Sequence, residues 1–480
     1  MGNAAMMGQV ETTATLPSGT VRELEAALSR IGVTRAHKVI LVLILAGALF
    51  DSFEQNTVGI VGPALKAQWE LGAADIGFLN TITFIFSALG RLVAGFVADR
   101  YGRRLMLNVD LLLFTLGAVI CATAPSFAVL CLGRAVVGSG LGGELSIAIT
   151  MLAEFCSPRF RGTAVGLVNV GSGGVGNFLA PGLGLLVFMI FPGPEQWRWL
   201  FAVLVAPALL VVVYRRFIPE TPRYLLSRGD IEGANLVLSR LASGRLTQSP
   251  PPASYISATA AAIEPVRSRH PTGIFKQPFA RRTVPASLAI WMTYGSQLSV
   301  LTLMPTILVA QGYTVTRSLL FTMMIQAGSF LGALVASIFG YHLPRKPVLT
   351  MGSLFALLAG LAFGYLARSA APIVVFGATF QFFVLLLNTT IWIYVPELFP
   401  TRMRGFGTGF ILAIGIAAGA IMPVIAGRLV DEFGVAAMFV MIAIMYAIFA
   451  GCIQLLPETY GRSIEDIRLP AEPVETPSAS

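Results

Sequence analysis

Apolar residues recur along this chain in blocks of about 20, the length at which an α-helix crosses a bilayer. Twelve such blocks are predicted as membrane spans: 39–65, 75–97, 105–124, 127–155, 163–190 and 197–218, then 284–310, 317–340, 348–367, 372–398, 405–430 and 435–456. The only long polar stretch lies between Arg215 and Arg282, where "SPPPAS" interrupts it. It separates two sets of six spans. The expected organisation is therefore an N-terminal segment 1–38, a six-helix bundle 39–218, a linker 219–283, a second bundle 284–456 and a tail 457–480.

Composition agrees with the pattern. The 480 residues are 55% hydrophobic and 12% charged, with a mean hydropathy of +0.77. A soluble chain of this length could not hide so much apolar surface, so the expected fold class is an all-α membrane protein. Charge then sets its direction. Of the 33 Lys and Arg, five fall in the loops or at the span ends of one side (Lys66, Arg198, Arg317, Arg368, Arg428) and two deep within spans (Arg91, Arg134). The remainder gather on the side that holds both termini, which the positive-inside rule places in the cytoplasm. The net charge of +9 is thus a topology signal, spread over loops, and nucleic-acid binding is not expected.

The four cysteines (Cys121, Cys131, Cys156, Cys452) lie in or beside spans and read as buried thiols, with no disulfide and no metal site. No cofactor is expected. No cleavable signal precedes the first span. Instead "SGTVRELEAALSRIG" reads as an amphipathic helix with Thr20 and Glu23 spaced as a capping box, expected on the inner membrane face. The tail "LPAEPVETPSAS" has the composition of a disordered segment.

The two halves repeat each other. Gln55 and Pro63 recur as Gln297 and Pro305 at an offset of 242, as does "RRLML" in "RKPVL". At 243, Glu154, Arg159, Arg161 and Gly162 recur as Glu397, Arg402, Arg404 and Gly405. An internal duplication of six-helix units marks alternating-access transporters, which hold substrate near the midplane between the halves.

With "GFVADRYGRR" (95–104), "RFRG" and "RMRG", the chain resembles the major facilitator superfamily. "PETPRYLLSRGD", "VPELFPTRMRG" and "PETYGRSIEDI" resemble its sugar-porter-like branch. "DSFEQNTVGIVGPAL" and "GSGLGGELSIAITMLAEFCSPRFRG" are most similar to metabolite and aromatic-acid proton symporters within it. The resemblance spans about residues 35 to 467. It implies the major facilitator fold and a gate in which Asp99, with Arg100, Arg103 and Arg104 around Gly102, latches the cytoplasmic side. Topology alone would explain the arginines but not Asp99. The second half reads "SIFGYHLPRKP", with Tyr341 in the acid's place, so a symmetrical second latch is not expected. Glu154 with Arg161, and Glu397 with Arg404, are further expected gate pairs.

Asp51, Glu54, Arg91, Arg134 and Glu144 fall within spans, with Asp110 nearer an inner end, and all are in the N-terminal half. Each charge at mid-membrane costs about 3 kcal/mol on insertion scales, so these are candidate functional groups. Asp51 and Glu54, three apart, share a helical face. The resemblance implies that Glu54 takes and releases the proton, with Arg134 as its partner and Asp51 as a second acid. Desolvation favours a protonated carboxyl and an approaching guanidinium favours the ionised one, so a changing Glu54–Arg134 distance would couple protons to conformation. A static cluster that only locks helices is the alternative.

Glu144 could bind substrate, relay protons or pair with Arg91; Arg91 could snorkel to the inner face or serve as counter-ion to an anion. The C-terminal half offers neutral groups: Trp291, Tyr294 and Gln297 in span 7, Gln326 in span 8, and Asn388, Trp392 and Tyr394 in span 10. These suit a binding pocket, or, for Trp291 and Tyr294, a lipid interface. Glycine-rich "GSGGVGNFLAPGLG" in span 5 is not a phosphate loop, since no strand precedes it and no Gly-Lys-Ser/Thr follows; close helix packing is expected.

The expected function is proton-coupled uptake of a small organic metabolite, with an aromatic or other carboxylate favoured, by a monomer in the plasma membrane. Its partners would be substrate, protons and the lipid bilayer. A sugar:proton symporter is the nearest alternative, though span 7 reads "QLSVLT" where sugar porters carry Gly-x-Asn after "QLS". A proton-driven exporter would have Gly before Pro181, where this chain has Ala180. A non-transporting sensor is the reading from another class, and an enzyme is least expected: the three histidines (His37, His270, His342) sit in loops or at span ends.

Overall fold

The computed structural model describes residues 18–206, 208–248, 253–257, 274–275, 279–339, 343–399 and 401–460. The side chains of Asp99, Arg161 and Arg404, expected in the gates, lie outside the described residues, as do Tyr341 and the tail beyond Tyr460. A short helix α1 (Ser18–Ile31) leads into α2 (Arg35–Trp69), α3 (Ala73–Tyr101), α4 (Arg103–Thr123) and α5 (Phe127–Phe155). The fifth span is α6 (Pro158–Asn169), a π-helical segment Val170–Gly176 and α7 (Asn177–Ile190) in succession; the sixth is α8 (Gln196–Val203) with α9 (Ala208–Phe217). Two short helices, α10 (Pro222–Ser227) and α11 (Ile231–Ser243), precede the second half: α12 (Ala280–Ala310), α13 (Val315–Phe339), α14 (Arg345–Leu366), α15 (Ala370–Glu397), α16 (Thr401–Phe433) and α17 (Val435–Gln454).

Eleven helical stretches among the described residues are long and apolar enough to cross a membrane. The expected twelfth, α12, departs from them for a physical reason. Thr293, Ser296, Ser299, Thr302 and Thr306 all fall within it, and all are buried. A helix surrounded by protein need not be apolar all round. Lipid-facing positions show the opposite: Leu89, Leu92, Val93 and Phe96 form an exposed apolar face on α3.

Within each half, helices approach closely where glycines remove the side chain. A Cβ at Gly90 of α3 would overlap the Ser139 carbonyl of α5, and one at Gly332 of α13 would overlap the Phe382 carbonyl of α15. The halves meet through α2 with α12, α3 with α16, and α7 with α13. We call the end of the molecule that carries α1, α10 and α11 basal and the opposite end distal. Near the distal end the halves touch backbone to backbone: Gly59 lies against the Leu301 carbonyl, Gly77 against that of Pro423, and Gly427 against that of Ala73. Asn80 donates to Thr302, and Thr81 to the Ala420 carbonyl. Asp431, at the distal end of α16, accepts from the amides of Ala73 (3.1 Å) and Ala74 (3.0 Å) that open α3.

At the basal end α1 corrects one expectation. Its apolar face (Leu24, Ala27, Leu28) packs in one core with Ala234, Val237, Leu238 and Leu241 of α11, so protein covers the face that was expected to meet lipid. Glu23, expected in a capping box, accepts from Ser257 (3.2 Å). Two glutamates cap helices in matching ways. Glu220 receives the amides of Arg103 (3.1 Å) and Arg104 (3.2 Å) at the start of α4, and Glu458 those of Arg345 (3.0 Å) and Lys346 (2.9 Å) at the start of α14. Carboxylates suit these positions because helix N-termini present unpaired N–H groups and partial positive charge.

Candidate functional site

A cavity of about 130 Å³ lies between the halves. Residues from α2, α3, α5, the π-helical stretch, α12, α15 and α16 line it. The repeat is visible here: Gln55 of α2 and Gln297 of α12, 242 residues apart, both face it. On the second-half side the wall is neutral and hydrogen-bonded. Thr293 donates to Asn388 (2.7 Å), whose amide donates to Gln297, and Trp392 donates to the Tyr294 hydroxyl. On the first-half side, Ser52 and Ser172 hydroxyls pair at 2.8 Å, and Asn56 donates to Asn177 at 2.9 Å. Asn169 reaches across to Thr389 at 3.3 Å.

Charge enters the cavity through Asp51 and Arg91. Arg91 Nε donates to the Gly142 carbonyl (3.2 Å), which anchors the guanidinium beside Asp51. Behind Asp51, its carboxyl shares a hydrogen bond with that of Glu144. Two carboxyls can share a hydrogen bond only if one of them carries a proton. Glu54 and Arg134 form an ion pair with both side chains 0% exposed, and Arg134 Nε donates to Thr83 (2.9 Å). This pair sits within the packed first bundle and does not line the cavity.

Of the residues expected to bind substrate, Tyr294, Gln297, Asn388 and Trp392 come together at the cavity. Others do not. Trp291 packs against Met422, Met445 and Ala418. Gln326 is 1% exposed and accepts from Ser329 (2.6 Å) one turn along its own helix. Tyr394 donates to the Pro457 carbonyl near the basal end. Glu144 lies behind Asp51, away from the cavity wall. All four fall on faces of their helices turned into neighbouring helices, a direction that residue type does not reveal.

Ser52, Gln55, Ser87, Asn169, Ser172, Asn177 and Thr389 line the cavity and were not singled out from the sequence. For Asn169 to Asn177 a signal existed. The first part of the glycine-rich run expected to serve packing lies in the π-helical segment Val170–Gly176, a distortion that often marks functional positions.

Near the basal end, Glu154 pairs with Arg103 (3.5 Å), and Glu397 with Arg345 (3.0 Å). The two pairs are equivalents under the repeat, and each joins helices within one half. Arg345 grips Glu397 through both Nη2 and Nε (3.2 Å). The ion-pair partners described for Glu154 and Glu397 are therefore the arginines that open α4 and α14. The Arg100 carbonyl accepts from the Tyr224 hydroxyl (3.2 Å), and the Arg104 amide donates to Glu220, so the turn at Gly102 is tied to α10.

A family model described as sugar (and other) transporter matches residues 57–469. The niacin transporter NiaP of Acinetobacter baylyi is 28% identical over 455 residues, covering 93% of this chain and 100% of that protein. A probable 4-methylmuconolactone transporter of Cupriavidus pinatubonensis is also 28% identical, covering 91% and 95%. A D-xylose transporter of Levilactobacillus brevis is 26% identical, covering 88% and 93%. Among solved structures, the xylose transporter XylE from E. coli, in a partially occluded inward open conformation, superposes with a TM-score of 0.71 at 18% identity over 89% of this chain and 99% of that one. The fold is thus the twelve-helix major facilitator fold.

Proposed function

This chain belongs to the sugar (and other) transporter family, and we propose that it imports a small organic carboxylate together with a proton by alternating access. In this reading the basal face is cytoplasmic, both termini lie there, and the two bundles 39–218 and 284–456 rock about the cavity as a monomer in the bacterial inner membrane. The backbone contacts at Gly59, Gly77 and Gly427 then close the outer side.

One observation carries the substrate class. Arg91 is the basic side chain that lines the cavity among the described residues, and it faces the aromatic and amide wall of Tyr294, Trp392, Gln297 and Asn388. A guanidinium suits a carboxylate through paired N–H donors. The aromatic pair suits a flat apolar body, and the amides fix its orientation. A relative named for niacin, itself a carboxylic acid, supports the same class. The Glu54–Arg134 pair supports proton coupling: opening the pair would leave a carboxylate buried without its counter-charge, which then takes a proton. A proton moving down 100 mV supplies about 2.3 kcal/mol to drive uptake. Asp99, Arg100, Arg103 and Arg104, with Glu154, Arg161, Glu397 and Arg404, serve as the inner gate.

A sugar:proton symporter is the second reading, favoured by the amides Gln55, Gln297 and Asn388, which match hydroxyl groups as well as carboxylates. Purified protein in liposomes separates the two. Interior pH and uptake are followed as nicotinate, benzoate, D-xylose or D-glucose is added, with wild type beside Glu54→Gln. The expected result is acidification with a carboxylate, abolished in Glu54→Gln while substrate exchange persists. Acidification with a sugar alone selects the second reading. Uptake without any pH change, equal in both proteins, refutes proton coupling.

A further inference from the structure

The first bundle contains acids that the cavity does not use. Glu144 and Asp110 are 3% and 0% exposed, and neither lines the cavity. Glu144 and Asp51 share a hydrogen bond. Apart from that shared bond, Glu144 Oε1, Asp51 Oδ1 and both oxygens of Asp110 have no hydrogen-bond partner among the described residues. A purely structural polar group would be fully paired, because orphaned buried polar atoms are costly.

The helices make room for these acids. A Cβ at Gly47 of α2 would come within 2.6 Å of the Tyr214 hydroxyl and 2.7 Å of Glu144 Oε1. A Cβ at Gly143 of α5 would overlap both Asp110 oxygens. Asp110 therefore lies against the turn of α5 that carries Glu144. By helix rise, Asp51, Glu144 and Asp110 stand about 24, 16 and 10 Å from the basal ends of α2, α5 and α4, a descending series. The other titratable groups facing them are Arg91 of α3 beside Asp51, Tyr214 of α9 beside Glu144, and Tyr294 of α12 beside Arg91. Tyr214 donates to the Leu43 carbonyl (2.8 Å), which commits its proton elsewhere.

We propose that Asp51, Glu144 and Asp110 form a proton path from the cavity to the basal face, running through the packed interior of the first bundle and separate from the substrate's exit. The inference rests on the proton-coupled reading above. In the first transfer the O–H bond of Asp51 breaks and one forms on the Glu144 carboxylate, along the hydrogen bond they share. In the second the proton passes from Glu144 to Asp110, the acid nearest the basal end, which releases it to water when the basal side opens. Asp51 is left ionised beside Arg91. The proton can thus leave while substrate still fills the cavity.

The test uses full-length protein in liposomes with nicotinate, or the panel member that wild type takes up in its place. Wild type, Asp110→Asn, Glu144→Gln, Asp110→Glu and Glu144→Asp are compared for substrate-driven proton influx and for counterflow, the exchange of labelled for unlabelled substrate without net proton movement. The expected result is at least a tenfold loss of proton influx in the two amide variants with counterflow kept. The carboxyl-retaining variants recover most of the influx. Influx at the wild-type rate in both amide variants overturns the path and leaves symport standing. Loss of counterflow in the amide variants without recovery in the carboxyl-retaining ones also overturns it, since the acids are then structural. If wild type itself moves no protons, symport fails, and the path with it.

Discussion

At the scale of single residues, the two capping glutamates make a paired prediction, because one geometry works under two degrees of burial. Burial acts to raise Glu458, yet the amides of Tyr460, Lys346, Arg345 and Thr459 together hold it below the usual carboxylate value. Glu220 receives similar amides from Thr221, Arg104 and Arg103, but heavier burial outweighs them and pushes it up. Glu458 thus binds its proton more weakly in the folded protein than in the unfolded chain. Its stabilisation is full above the ordinary carboxylate value and is lost as pH falls through its own lower one. Glu220 has the opposite sign: its burial cost applies above its raised value and disappears as pH falls. Thermal unfolding in detergent at pH 7 should show Glu458→Gln destabilised by about 1 kcal/mol, more than Glu220→Gln. The Glu458→Gln difference should shrink at pH 4. Equal effects at both pH values would contradict the assignment. Residue type told only part of the site. Glu54 and Arg134 were found through their motifs, and the structure joins them. That Arg91 faces the cavity while Trp291 and Gln326 do not depends on helix rotation, which the weak amphipathicity of α3, α12 and α13 leaves unmarked.

At the scale of elements, span positions were legible to within a few residues, since bilayer thickness sets the length of each apolar block. The docking of α1 on α11 was not, because it depends on contacts between distant segments. The contact of Asp431 with the start of α3 is of that kind too. Two amides and the positive helix terminus hold the carboxylate, and Lys66 stands 4.0 Å away. In the alternating-access reading proposed above, this cap breaks whenever the distal side opens. Asp431→Asn removes the charge, and charge-assisted hydrogen bonds are worth about 1.5–3 kcal/mol, so the equilibrium should move toward the distally open state roughly tenfold. Alkylation from outside of a cysteine at Thr306, buried beside Gly62, reads the shift in a background without native cysteines. Unchanged labelling would mean that Asp431 does not hold the closed state.

At the scale of the molecule, the repeat seen in the sequence is also a repeat of contacts. Gly90 stands 242 residues before Gly332, and Ser139 stands 243 before Phe382, so the α3–α5 crossing is rebuilt as the α13–α15 crossing. Gly59 and Leu301 are themselves 242 apart, so α2 and α12 cross where the two halves are equivalent. Two classes of glycine follow. Under the proposed alternation, Gly90 and Gly332 hold a bundle together in every state, whereas Gly59, Gly77 and Gly427 touch the other half and are needed only when the distal side is closed. A methyl group at the first class strains the fold at about 1–3 kcal/mol. At the second class it penalises one conformation by a similar amount and leaves each bundle intact. Gly90→Ala should therefore lower thermal stability in detergent. Gly59→Ala should keep wild-type stability, increase outside labelling at Thr306→Cys and slow net uptake several-fold, because the distal side can no longer close. If Gly59→Ala unfolds as readily as Gly90→Ala, the two halves do not separate at this crossing. Rocking about the cavity would then have to be replaced by a movement that keeps α2 and α12 in contact throughout.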